Sequence, residues 1–257
     1  MKVLIFETAE AAEYAVAEIV ASEVSTRPET VLGLATGGTM LPVYARLCAL
    51  RSEGLSFAKV TSFNLDEYVG LSSQHPESYH SYMREVLFDH IDILPENCHL
   101  PKGDAVDVRA ECLAYEENIL AQGGIDLQLL GIGRNGHIGF NEPSSSLGSL
   151  TRVKTLTEST RQANAPYFTD QDAPKYAITM GIRTILNART CVLLATGAAK
   201  SQAVAQAVEG PLSAICPASA LQMHAETTVV LDRSAATELR HRDYYAQVHP
   251  HGAEHAL

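Results

Sequence analysis

The chain has 257 residues, of which 46% are hydrophobic and 19% charged, an ordinary balance for a globular enzyme. A chain this long buries roughly three quarters of its unfolded surface and needs no disulfide or metal to hold its core. Its formal net charge is −11, with no Lys/Arg cluster anywhere, which argues against nucleic acid and anionic membranes as partners.

From the N-terminus, "KVLIF" (2–6) reads as a strand, too short an apolar run for a signal peptide, and Ala9 to Ser22 as a helix. "TVLGLA" (30–35) is a buried strand, followed by a helix from Thr39. "VTSFNL" (60–65) is a third strand. Two helices, 78–91 and 105–121, surround the loop "LPENCHLPKG". "IDLQLLG" (125–131), "YAITMG" (176–181), "TCVLLATG" (190–197) and "TTVVLD" (227–232) complete a set of seven strands. Helices follow at 199–208 and from Ala235. Near-continuous apolar strands separated by helices predict an α/β fold: a three-layer, open, mostly parallel sheet with helices on both faces. No repeat or linker divides it, so residues 1–257 are expected to form one domain. The weakly periodic stretch 138–174 is a candidate lid, and "HPHGAEHAL" (249–257) reads as a tail. No run approaches the ~18 apolar residues of a membrane span. Five scattered cysteines without a C-x-x-C pair suit reduced thiols in the cytoplasm rather than a disulfide framework or a metal site.

Open parallel sheets bind ligands beyond the carboxyl ends of their strands. Four suggestive segments fall there: "TGGT" (36–39), "NLDEYVG" (64–70), "GIGRNGH" (131–137) and "TGAAK" (196–200). In the first, Gly37 and Gly38 let backbone N–H groups approach an anion, and Thr36 and Thr39 add hydroxyls. The alternative reading of the same residues is only a tight strand-to-helix turn with Thr39 as N-cap. Lys200 lies in a first helical turn, where a cation opposes the macrodipole; it either reaches for a phosphate or is simply solvated. Asp66 and Glu67 are adjacent carboxylates, either a source of a general base or a solvated acidic turn.

"GIGRNGHIGFNEP" (131–143) opens with G-x-G-x-x-G, the spacing of a dinucleotide-binding turn. That motif needs its third glycine to enter a helix. Gly139, Pro143, Ser144 to Ser146 and Gly148 leave no room for one. What remains is a glycine-rich loop presenting Asn135, His137 and Glu142. It is either a proton-transfer site or the setting of a structural histidine.

"TGGT", "NLDEYVGL", "HPESY", "GIGRNGHIGFNEP", "KTLT…TRQAN", "YAITMGI" and "PASALQMH" resemble, in order and spacing, the glucosamine-6-phosphate deaminases. The likeness runs from Met1 to at least Tyr245. It implies conversion of glucosamine 6-phosphate and water to fructose 6-phosphate and ammonia, without metal or coenzyme, on a fold shared with ribose-5-phosphate isomerases and CoA transferases. It implies Asp66 as the base that enolises the open-chain sugar. His137 would move the ring-opening proton, assisted by Glu142 and Asn135. Thr36, Gly37, Gly38, Thr39 and Lys200 would grip the substrate and its phosphate.

The sequence departs from the family at three places. Some members carry aspartate where Asn135 stands. Two prolines common around the first loop are Ala35 and Met40 here. A phosphate-binding arginine is replaced by Pro166, for which Arg183 is a possible substitute donor. Two rivals are weighed against the deaminase. A 6-phosphogluconolactonase-like hydrolase needs no C2-proton base, which "NLDEYVGL" supplies. A non-catalytic sugar-phosphate sensor would be expected to carry a DNA-binding helix-turn-helix.

In family members activated by N-acetylglucosamine 6-phosphate, the activator lies between subunits of a hexamer. The resemblance therefore implies Ser145, Ser146, Arg152, Lys154, Thr155 and Tyr244, with the amine of Met1, as an allosteric phosphate site, and a homo-oligomer as the assembly.

Overall fold

The computed structural model describes residues 1–168 and 172–252. Most strands of the main sheet are short apolar runs, and because every pairing is parallel their carboxyl ends share one edge. β1 (Lys2–Phe6), β2 (Val31–Leu34), β3 (Thr61–Asn64), β5 (Cys98–His99), β6 (Leu127–Leu130), β9 (Thr190–Ala195) and β10 (Thr227–Asp232) form a parallel sheet of order β1-β10-β9-β6-β2-β3-β5. α1 (Ala9–Thr26) begins where Thr8 Oγ1 accepts the Ala11 N–H at 3.1 Å. It buries Ala12, Val16, Ala17, Val20 and Val24, a stripe at helical spacing, against the sheet and α2 (Leu41–Ser52). α4 (Val108–Ala121) packs Tyr115 edge-on to Phe63 of β3. Thus the expected α/β architecture is present.

Two expectations about strands are corrected. Tyr176–Thr179 (β8) does not enter the parallel sheet. It is the middle strand of a three-stranded antiparallel sheet, with β4 (Asp66–Tyr68) on one side and β7 (Arg152–Thr155) on the other. The seventh parallel strand is instead Cys98–His99, inside the segment read as a loop. "NLDEY" is likewise not the end of one strand: after Asn64 the chain turns at Leu65, which donates to Leu34 O at 3.0 Å and accepts from Met180 N at 2.7 Å, and restarts as β4.

The stretch 138–174 contains β7, α5 (Glu158–Asn164) and a 3₁₀ turn at Ala165–Tyr167. Its residues 169–171, and 253–257 of the expected tail, lie outside the described residues. Under it a second apolar cluster gathers Tyr68, Leu71, Phe140, Leu156, Phe168, Ala173 and Ala177. The remaining helices are α3 (Tyr79–Val86), α6 (Ile182–Leu186), α7 (Ser201–Val208) and α8 (Arg242–Val248), the last starting seven residues later than the expected Ala235. Among the described residues no helix is long and apolar enough to cross a membrane.

Candidate active site

β6, β2 and β9 are neighbours, so the loops after them meet at one edge. The loop after β6 is built around its histidine. A Cβ on Gly133 would collide with the His137 ring, so only glycine lets the imidazole lie there. Asn135 is wedged between two partners: its Nδ2 donates to Glu142 Oε2 at 2.7 Å, and its Oδ1 lies 2.6 Å from His137 Nδ1. An ionised carboxylate only accepts, so it dictates which way the amide faces. The amide oxygen then requires a proton on Nδ1, which leaves Nε2 with a free lone pair. Glu142 is 2% exposed. Burial alone would raise its pKa, but hydrogen bonds from His137 and Thr160, the charge of His137 and the Asn135 amide outweigh that and hold it at about 2.

Asp66 faces this loop from β4. One of its carboxylate oxygens lies 3.3 Å from where a Cβ on Gly139 would sit, with Thr179 Oγ1 3.0 Å from the same point. Gly139 also has φ +54°, a conformation glycine adopts without penalty. Its place in the motif is thus explained twice. The solvated-turn reading of the two carboxylates is overturned, since Asp66 is 5% and Glu67 0% exposed. Burial, and then the neighbouring Glu67, raise the Asp66 pKa to about 8.

Thr36 to Thr39 turn over the end of β2. Gly38 begins a 3₁₀ turn with no side-chain cap, and α2 starts at Leu41, also without one. The expected N-cap role of Thr39 is therefore corrected, because the turn tightens before the helix begins. Lys200 ends a similar 3₁₀ turn, Ala198–Lys200, and its Nζ donates to Ile132 O at 2.6 Å, joining the loops after β9 and β6. Burial and the nearby charge of Arg134 lower its pKa.

Arg183 is placed elsewhere. It is exposed on α6, with its backbone N–H on Ser149 O at 2.9 Å. Among the described residues, no hydrogen bond or ion pair ties it to the 36–39 loop or Lys200. The physical reason is that α6 carries the chain from β8 towards the opposite end of the sheet, where β9 starts.

Residues outside the sequence-derived set also line the edge. Tyr79 hydrogen-bonds Thr36, and Tyr82 OH donates to Gly37 O at 3.0 Å. Tyr167 OH lies 3.7 Å from the Cβ position of Gly38. The signal for the first two was Tyr79 and Tyr82 at helical spacing in "SYHSYM"; nothing in the sequence points to Tyr167.

The expected allosteric residues divide into two groups. Ser145, Ser146, Arg152, Lys154 and Thr155 lie on or near β7. Ser145 Oγ and Arg152 Nη2 are buried without a partner among the described residues, while Arg152 Nη1 donates to Asn141 Oδ1 at 2.8 Å. Burial lowers the Arg152 pKa; burial, and then the charge of Arg152, lower that of Lys154. Met1 and Tyr244 adjoin β1, the far edge of the main sheet, so one chain does not bring the two groups together.

Comparison with known proteins matches the family model of glucosamine-6-phosphate isomerases and 6-phosphogluconolactonases over residues 6–230. The chain is 54% identical over 250 residues to a glucosamine-6-phosphate deaminase of Hahella chejuensis, covering 96% of this chain and 95% of that one. It is 53% identical over 248 residues to its counterpart in Shewanella loihica, covering 96% and 92%. A solved structure of a monomeric glucosamine-6-phosphate deaminase superposes with a TM-score of 0.90 at 50% identity, covering 92% of this chain and 99% of that one.

Proposed function

The chain belongs to the family of glucosamine-6-phosphate isomerases and 6-phosphogluconolactonases, and from that premise we infer that it is a glucosamine-6-phosphate deaminase. The observation that carries the reading is a buried, basic Asp66 set against Gly139 of the loop that holds His137. A lactonase has no carbon-bound proton to remove and no need of such a base.

The geometry supports the roles we propose. With Nδ1–H held by Asn135, His137 Nε2 takes the proton of the anomeric hydroxyl and returns one to the ring oxygen, opening the pyranose. Asp66 removes the C2 proton of the open-chain aldehyde while the substrate's ammonium group passes a proton to O1, giving an enaminol, and Asp66 then delivers its proton to C1, giving the protonated ketimine. The resulting ketimine adds water and loses ammonia, leaving fructose 6-phosphate. Thr36, Gly37, Gly38, Thr39 and Lys200 receive the phosphate. Because Pro166 has no donor, Arg134 beside Lys200, and Tyr167 over Gly38, complete the grip in preference to Arg183. The five cysteines are free, and a reducing cytoplasmic setting belongs to the same proposal.

The deciding experiment measures ammonia release from glucosamine 6-phosphate, with the N-acetyl sugar phosphate as a control. A sensor would show only a ligand-dependent rise in Tm and no ammonia.

Regulation by N-acetylglucosamine 6-phosphate is a second part of the proposal. Ser145 Oγ and Arg152 Nη2, without a partner among the described residues and near Lys154, favour an anion at this spot. Completing the set with Met1 and Tyr244 requires a second subunit, hence an oligomer such as the expected hexamer.

A further inference from the structure

Adjacent residues of a strand point to opposite faces. On β4, Asp66 therefore turns to the Gly139 loop, and Glu67 turns away from it towards α3. Glu67 is fully buried, and both of its oxygens are used. Oε1 accepts from Tyr68 N at 2.8 Å and Tyr79 N at 3.1 Å. Oε2 accepts from His80 N at 3.1 Å and lies 2.9 Å from His80 Nδ1.

Tyr79 and His80 are the first two residues of α3, whose N–H groups have no partner within the helix. An anion is well placed at such an end. Yet α3 already has its cap, because Ser78 Oγ accepts from Ser81 N at 3.1 Å. Ser78 leaves the Tyr79 and His80 N–H groups to Glu67, and a buried charge is a costly acceptor for them. Its position one residue from the base gives it a use. Two neighbouring carboxylates in a dry site resist being ionised together. Four donors converge on the Glu67 carboxylate, and its charge raises the hold of Asp66 on a proton.

We propose that Glu67 is a positioning residue for Asp66: it clamps β4 to the first turn of α3, and its buried negative charge strengthens the hold of Asp66 on the proton taken from the substrate carbon. The inference rests on the deaminase reading and deepens it. A stronger base lowers the barrier to removing a carbon-bound proton. The clamp also fixes Tyr79, which touches both Thr36 of the glycine loop and the Tyr68 hydroxyl, at 3.1 Å. The other titratable groups facing Asp66 are the phenols of Tyr68, Tyr79 and Tyr115, all pushed above their ordinary range by burial first, with the charge of Asp66 adding to the rise. They carry no charge near neutrality. The titratable group facing Glu67 from α3 is His80.

The test is the pH dependence of kcat/KM for ammonia release. Glu67→Gln keeps the shape and removes the charge, so the acid limb is expected to move down by about one pH unit, with a lower plateau. Glu67→Asp keeps the charge but is too short to reach α3, so its plateau should fall with the limb unmoved. A Glu67→Gln enzyme whose plateau falls while its limb stays at the wild-type position overturns the proposal, since a merely structural residue behaves that way. The unaltered protein gives an independent reading through ¹³C NMR of labelled Asp and Glu carboxyls, with Asp66→Asn for assignment. Asp66 is expected to release its proton near pH 8, and at a lower pH in Glu67→Gln; an Asp66 that titrates alike in both overturns the idea. If the wild type releases no ammonia, the deaminase reading fails, and the carboxyl titration still judges Glu67.

Discussion

Asp66 carries an energetic cost that its proposed role explains. Its carboxyl titrates near the ordinary 3.8 in the unfolded chain but at about 8 in the fold. Between those values the folded state holds a proton that the unfolded state has released, so stability falls as pH rises through the window. Asp66→Asn removes this penalty. Denaturant unfolding should therefore show the variant gaining on the wild type from about pH 4 to pH 8, while turnover drops by at least ~10². A variant that gains no stability across that range would mean that the carboxyl is not held in a dry site. The neighbouring loop depends on shape in the same way. Gly133→Ala puts a methyl where the His137 ring lies, so kcat should fall about a hundredfold, as expected when a proton-transfer group is misplaced, with the circular dichroism spectrum unchanged.

At the level of elements, α5 is fastened at one end to Glu142 and at the other to Tyr68, on the strand that carries Asp66. Thr157, its N-cap, donates through N and Oγ1 to Glu142 Oε1, both at 3.2 Å, and Asn164 Nδ2 donates to Tyr68 OH at 2.9 Å. The helix thus spans the Glu142 end and the Asp66 strand. Asn164→Ala loses one bond of about 1 kcal/mol. KM is expected to rise roughly fivefold, with quicker proteolysis between 157 and 168. The phosphate grip is read by a second series: Lys200→Ala should raise KM more than tenfold, as loss of a charge-assisted contact does, and Arg134→Ala several-fold. Arg183→Ala, on a helix leading away from the site, should leave KM as it is.

For the whole molecule, assembly decides whether the regulatory site can form. The similar solved deaminase is described as monomeric, whereas the regulatory proposal needs two chains to unite Arg152 and Lys154 with Met1 and Tyr244. Substrate saturation with and without N-acetylglucosamine 6-phosphate, alongside the mass in solution, separates the two. Regulation is expected to appear as tighter substrate binding and lower sigmoidicity in an oligomer. A hyperbolic curve that ignores the sugar phosphate, from a monomer, removes the proposal.

Local pattern was enough for much of this. Short apolar runs between amphipathic helices determined the parallel sheet, because such strands are stable only when covered on both faces. The absence of a helix after Gly136 likewise excluded a dinucleotide turn, since a helix start is a local signal. Tertiary structure decided what depends on partners distant in the chain. "YAIT" is apolar in either sheet, and only its pairing with Asp66–Tyr68 and Arg152–Thr155 assigns it to the antiparallel one. Two residues at Cys98–His99 are too few to show a period. "DE" reads as a wet turn until burial raises the pKa of one carboxylate and α3 lends its donors to the other. A pKa is set by what surrounds a group in space, and those surroundings come both from α3, close by in the chain, and from β8, more than a hundred residues away.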